Sequence, residues 1–368
     1  MTLIARVSIR NAPVLIGDVL LSSERRSGVR ANLPLVGDIN RILASQGLYF
    51  EVSFVQKVNI LSDRLAVAWS GQELQAKRAL RALADVSSRE KLCLTDIETE
   101  LRAIDPDKID KLQLIGILAR EVRGAEVAGS KFAFQVQPID VPGLGSVHAA
   151  GTGAHDFIQM LGETDWTLGG VANERQVAHA LVGDLVNIEY RRGGTIEKRW
   201  GGGFEAVTFT SDSGRFEKVG DVLHTFWKVD LSSPGKAEFI PWFYKTTYWR
   251  DALIVRYARI NSVGERKFQL AMNSFELIPP LLKHRQEYAL EELGSVDFSH
   301  KVLQCHVSVE RPGGRDILQL IEPSKPGSTL QLEFRESGAV HLEIPGELNT
   351  KIIEEAQTRA SASSSKRR

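Results

Sequence analysis

Thr2-Leu3-Ile4-Ala5-Arg6-Val7-Ser8-Ile9-Arg10-Asn11-Ala12-Pro13-Val14-Leu15-Ile16-Gly17-Asp18 opens the chain with two short apolar runs on either side of a turn. Asn11 and Pro13 favour the turn, and the flanking runs suit strands, so the stretch predicts a β-hairpin ending in Gly17-Asp18. Working outward, residues 22–47 form a polar excursion with a short apolar helix pattern at Ile39, Ile42 and Leu43, which reads as an insertion. Strands resume at 50–55, 58–61 and 65–69, the last stopping at Ser70-Gly71. Helices follow at 73–84 and 94–104, the second with Thr95 and Glu98 spaced as a capping box. Residues 112–120, 131–137 and 146–150 read as strands, and the last leads into Gly151-Thr152-Gly153. Two more helices, 154–161 and 174–190, precede a strand at 204–209. This order of strands, helices, strands, helices and strands predicts an α+β chain with two antiparallel sheets covered by helix layers.

Beyond residue 210 the character changes to aromatic-rich strands at 226–227, 239–248 and 253–260, with further strands at 302–309 and 330–334. The organisation expected is a core over 2–210 with its insertion at about 22–47, a β-rich extension over 211–358, and a disordered Ser-rich tail over 359–368. Breaks at 211–214 and 232–235 both offer a boundary.

The chain has 368 residues, 46 Lys plus Arg against 46 Asp plus Glu, and a net charge of zero, so a globally basic nucleic-acid binder is a poor fit. Lys198-Arg199 and Lys366-Arg367-Arg368 are too short to argue otherwise. The two cysteines, Cys93 and Cys305, make no CxxC pair, and a reducing compartment is the default. No run is apolar enough to span a membrane and the start lacks a signal-peptide pattern, so a cytoplasmic protein is expected. Removal of Met1 alone would expose Thr2 as the first residue. No metal-ligand spacing and no nucleotide-binding glycine motif occurs, and no cofactor is expected; Gly201-Gly202-Gly203 reads as a tight turn.

The ordered set Thr2, Gly17-Asp18, Lys57 before a strand, Ser70-Gly71 opening a helix, and Gly151-Thr152-Gly153 between a strand and a helix resembles the N-terminal-nucleophile hydrolases of the proteasome β-subunit type, including the bacterial proteasome-like peptidases. The resemblance covers about residues 2–209 and implies a four-layer αββα core. The separations Thr2 to Asp18 and Lys57 to Gly71 match the family pattern; Thr2 to Lys57 is longer, and the excess falls in the 22–47 insertion. Thr152 stands where the family has Ser. The family's Asp, two residues, Ser, Gly pattern falls on Glu197-Lys198-Arg199-Trp200-Gly201, so Glu197 would replace the Asp and Trp200 the Ser, with Asp184 the other candidate acid.

The resemblance implies a threonine protease or peptidase in which Thr2 is the nucleophile and its own freed α-amino group the base. Lys57 would favour the ionised hydroxyl, Asp18 would pair with and orient Lys57, and the Gly71 N–H would be the oxyanion donor. Partners implied are a peptide or amide substrate and further copies of the chain in a homo-oligomeric ring, with an ATPase partner left open and neither nucleic acid nor membrane. Two rival readings remain: an amidase or acylase acting on a small molecule, and a non-catalytic ring subunit that keeps Met1.

Overall fold

The computed structural model describes residues 2–9, 12–23, 32–33, 37–38, 51–89, 91–119, 129–164, 173–192, 194–231, 236–264, 267–293, 297–311, 314–325, 330–335 and 337–365. Most of the expected insertion, including its helix pattern at Ile39–Leu43, lies outside these residues. The chain divides into two compact units: Met1–Gly220 with Arg250–Leu253 and Leu277–Tyr288, and Asp221–Trp249 with Ile254–Glu276 and Ala289–Arg368.

The first unit begins with the hairpin β1 (Ile4–Ile9) and β2 (Ala12–Asp18), in which Ile4 faces Gly17 and Ile9 faces Ala12 across the antiparallel register. Then come β3 (Leu20–Ser23), β4 (Asn32–Leu33), β5 (Gly37–Asp38), β6 (Glu51–Phe54), β7 (Val58–Ser62) and β8 (Leu65–Gly71). Two helices follow, α1 (Glu73–Ser87) and α2 (Leu94–Ala103). The capping box of α2 is built by Cys93 and Asp96, with the Cys93 N–H donating to Asp96 Oδ2 at 2.9 Å, two residues earlier than the Thr95 and Glu98 spacing predicts. Strands β9 (Leu112–Ala119), β10 (Gly129–Phe134), β11 (Pro138–Val141) and β12 (Gly145–Ala150) precede α3 (Ala154–Glu163), α4 (Glu174–Arg192) and the short α5 (Gly194–Glu197). The unit's last strands are β13 (Phe204–Thr210) and β14 (Arg215–Val219).

These strands form a six-stranded sheet, β11-β12-β1-β2-β13-β14, and a four-stranded sheet, β10-β9-β8-β7. Period-two alternation sends Ile4, Leu15 and Val207 of the first and Ala66, Ala68, Ile115 and Ile117 of the second into one shared apolar core. The opposite face of the four-stranded sheet, with Leu65, Val67 and Trp69, packs on Ala76, Leu80 and Leu83 of α1 and Ile97 and Leu101 of α2. Helix α4 lies against β13 and β2.

The second unit holds β15 (Val222–Asp230), β16 (Ala237–Trp249), most of β17 (Ala252–Gly264) and of β18 (Lys267–Ile278), β19 (Val302–Arg311), β20 (Gly314–Pro323), β21 (Gln331–Phe334), β22 (Ala339–Glu343) and helix α6 (Gly346–Ser365). They make one eight-stranded sheet, β20-β19-β15-β16-β17-β18-β22-β21, with β15 and β19 parallel. Leu348, Ile352 and Ala356 of α6 cover a face that includes Leu223, Phe243, Leu303 and Leu320. Helix α6 runs through residues 359–365, part of the tail expected to be disordered.

This overturns the expected fold class. Among the described residues the structure is mixed, about 28% helix and 49% strand, and the largest sheet has eight strands, so a four-layer αββα core of two antiparallel sheets does not describe it. The physical reason is the 12- and 13-residue strands β16, β17 and β18, which are long enough to build a separate sheet with its own helix. Among the described residues no helix is long and apolar enough to cross a membrane.

Candidate functional site

Thr2 sits just before β1 and Asp18 ends β2, so the hairpin register brings them together: the Asp18 N–H donates to the Leu3 carbonyl at 3.0 Å. The Thr2 hydroxyl donates to Asp18 Oδ1 at 2.5 Å, and the Gly201 N–H donates to Asp18 Oδ2 at 2.8 Å. Asp18 is wholly buried, and loss of hydration pushes its carboxyl up to about 6 against the opposing pull of Lys57 and these hydrogen bonds.

The Gly151-Thr152-Gly153 turn wraps the backbone of Thr2. The Thr2 nitrogen donates to Thr152 Oγ1 at 3.3 Å, the Gly153 N–H donates to the Thr2 carbonyl at 3.1 Å, and Thr152 Oγ1 in turn donates to the Arg199 carbonyl at 3.1 Å. Thr2 is 1% exposed whereas Thr152 is open to solvent, so the cluster faces water on the Thr152 side. Gly151 has φ of +89°, and a Cβ there would lie 2.1 Å from the Thr2 carbonyl oxygen. Gly151→Ala should therefore cost about 1–3 kcal/mol and displace Thr2. Gly143→Ala, at φ of +80° with nothing within 4 Å of the new Cβ, should cost only about 1 kcal/mol. Thermal unfolding of the two variants checks the difference.

Lys57 lies just before β7 and is 1% exposed. Its ammonium stands 4.3 Å from the Trp69 ring centroid, and burial pulls it down to about 8 despite the charges of Asp18, Glu205 and Glu73. It makes no ion pair with Asp18; that carboxylate is spent on Thr2 and Gly201, so Asp18 holds the hydroxyl rather than the lysine. Gly17 makes the approach feasible, since a Cβ on it would sit 2.9 Å from Lys57 Cβ and 3.0 Å from Val58 Cγ2.

Two buried carboxylates that the sequence reading passed over complete the surroundings. Glu205 on β13 faces Gly17 in register and accepts the backbone N–H groups of Lys57 and, at 2.8 Å, Val58. Burial raises its carboxyl, opposed first by Lys218, whose ammonium is in turn lowered by burial and bonds to the Gln56 side chain. Glu189 on α4 accepts the Gly202 N–H at 2.6 Å, and burial raises it to about 8. Gly201 and Gly202 are thus held between Asp18 and Glu189, and a Cβ on Gly201 would come within 2.5 Å of Glu189 Oε1.

The other expected residues fall differently. Gly71 ends β8, paired with Leu112; its φ of +109° and a Cβ position 1.8 Å from the Lys111 carbonyl explain the glycine, and among the described contacts none joins it to Thr2. Glu197 closes α5, and its side chain lies outside the described part of the structure. Asp184 is half-buried on α4. Trp200, in the place of the family's Ser, is buried, packs 6.0 Å from the Phe204 ring and donates to Asp156 Oδ2 at 3.2 Å. Among the described residues no group of three or more His, Cys, Asp or Glu is arranged to hold a metal ion. No protein-family model matches the chain, and no curated protein matches it.

Proposed function

We propose that the chain hydrolyses amide bonds with Thr2 as the nucleophile. The observation that carries this reading is the 2.5 Å contact between the Thr2 hydroxyl and Asp18, with the buried Lys57 charge acting on the same carboxylate. With a carboxyl at about 6 and an ammonium at about 8, both groups are mostly ionised at pH 7. Asp18, which already accepts from the hydroxyl, takes its proton in place of the α-amino base that the resemblance implies, as Oγ1 bonds to the amide carbon; the C–N bond then breaks, the proton goes to the leaving amine, and water releases the acyl group from Thr2. Lys57 stabilises the negative charge that develops on Oγ1 and the carbonyl oxygen. Thr152 holds the Thr2 nitrogen, which fixes the direction of attack.

Thr2→Ala tests the reading on fluorogenic peptides and on small N-acyl amides assayed side by side. Cleavage should fall by a factor on the order of 10⁴ or more in a protein that still folds, its thermal midpoint lowered by loss of the hydroxyl that Asp18 Oδ1 accepts. Retained cleavage in Thr2→Ala ends the proposal. The two substrate sets distinguish a peptidase from a small-molecule amidase on the same site. Assembly of copies into a ring belongs to the same reading, and a monomer by light scattering would remove it.

A further inference from the structure

Away from Thr2, β1 carries an arginine in an unusual setting. Arg6 pairs in register with Leu15 on β2 and His148 on β12, and is 2% exposed. Alternation places it on the face of β1 that bears Ile4, which lies in the core between the two sheets. The same rule aligns His148 with Ala150 on β12, and Lys131 with Ala133 on β10 of the facing sheet; both alanines pack in that core. Three basic side chains therefore meet where the apolar interior gives way to the sheet edge.

Arg6 Nη2 lies 2.8 Å from His148 Nδ1. A guanidinium only donates, so His148 accepts at Nδ1, is neutral, and carries its proton on Nε2. Burial and the charges of Arg6 and Lys131 hold His148 down to about 4. The Arg6 Nε–H is buried with no hydrogen-bond partner. Among the described residues no carboxylate forms an ion pair with Arg6 or Lys131; burial lowers Arg6 to about 10, and Arg6 itself helps to lower Lys131. A buried cation whose one partner is a neutral imidazole is costly, and a bound anion removes that cost by meeting the free Nε–H and the second positive charge together.

We propose that Arg6, Lys131 and His148 form a binding site for a small oxyanion, the oxygen atoms of a carboxylate or phosphate group. The Arg6 Nε–H is the directed donor, His148 holds the guanidinium in place through Nδ1, and Lys131, open to solvent, adds charge at the entrance. The site makes no use of Thr2 and stands or falls independently of the hydrolase reading.

Inorganic phosphate and acetate are titrated separately against the full chain at constant ionic strength in chloride, with calorimetry and thermal shift as readouts. One saturable site is expected for at least one of the two. Phosphate binding alone assigns a phosphoryl ligand and acetate binding alone a carboxylate. Arg6→Gln should weaken the apparent Kd about tenfold or more, because a charge-assisted hydrogen bond is lost. The His148 resonances should titrate at higher pH when the site is filled. If Arg6→Gln does not fold, Lys131→Gln, at an exposed position, should weaken binding by a smaller factor that shrinks as salt is added. Saturable binding by neither anion overturns the proposal, as does unchanged affinity in Arg6→Gln or, where that variant does not fold, in Lys131→Gln.

Discussion

Lys57→Met should yield a folded protein that no longer cleaves amides. Methionine keeps the unbranched stem over Trp69 and removes a charge that burial opposes: the ammonium titrates at about 8 in the fold and near ~10.4 in the unfolded chain. The sign follows from proton counts. Between these two values the unfolded chain binds more protons than the folded one, so wild-type stability rises with pH across that window, and below it the full cost is present. Lys57→Met lacks both the cost and the rise. Against this, Asp18 loses the charge that holds its carboxyl down. The two effects oppose each other, and the net change in stability should stay within about 2 kcal/mol. Activity has no such compensation, and kcat/KM should drop about 10²–10³-fold or more, with any residual acid limb moved above 6 as Asp18 becomes harder to ionise. Lys57→Arg should fail as well, since a planar guanidinium cannot take the place of a compact ammonium against the indole. Near wild-type cleavage by Lys57→Met would remove Lys57 from the chemistry.

Glu189→Gln should remove a large part of the protein's pH-dependent loss of stability. The carboxyl is wholly buried and raised to about 8, so it is mostly protonated at pH 7 in the fold and ionised in the unfolded chain. Its contribution is fully present below the unfolded value near ~4.3 and is lost as pH rises through about 8. Glutamine keeps an oxygen for the Gly202 N–H and does not titrate. Urea unfolding at pH 5 should find wild type and variant nearly equal, and at pH 8.5 the variant should be ahead by a few kcal/mol. Parallel pH profiles for the two proteins would mean that Glu189 is hydrated in solution.

The first unit was legible in the sequence wherever period and turn chemistry agreed. Alternation and the Asn11–Pro13 turn placed the hairpin that became β1 and β2, and the apolar stripes placed α1, α3 and α4 to within a few residues. The resemblance grouped Thr2, Asp18, Lys57 and Thr152 because each stands at a strand boundary: Thr2 and Lys57 just before strands, Asp18 at the end of one and Thr152 in the turn after one.

What escaped has physical causes. Asp18 was expected on Lys57 and instead bonds Thr2, a choice set by hydrogen-bond directions that sequence spacing does not encode. Glu189 left a trace, since it continues the Leu181 and Leu185 stripe of a helix at the i+4 position, where an apolar residue belongs. Glu205 left one too, as the lone charge in the buried run Phe204-Glu205-Ala206-Val207. The eight-stranded sheet was missed as an architecture because its parallel pair, β15 with β19, joins strands some 80 residues apart, and no local period reports that neighbourhood.

In the proposed reaction Thr2 itself becomes acylated. The direct measurement is mass spectrometry of the protein quenched during turnover of an activated acyl substrate, followed by peptide mapping. An acyl group is expected on an N-terminal peptide that begins at Thr2, present in wild type and absent from Lys57→Met. A chain that still carries Met1, forms no adduct at Thr2 and cleaves the same substrate at full rate would contradict it.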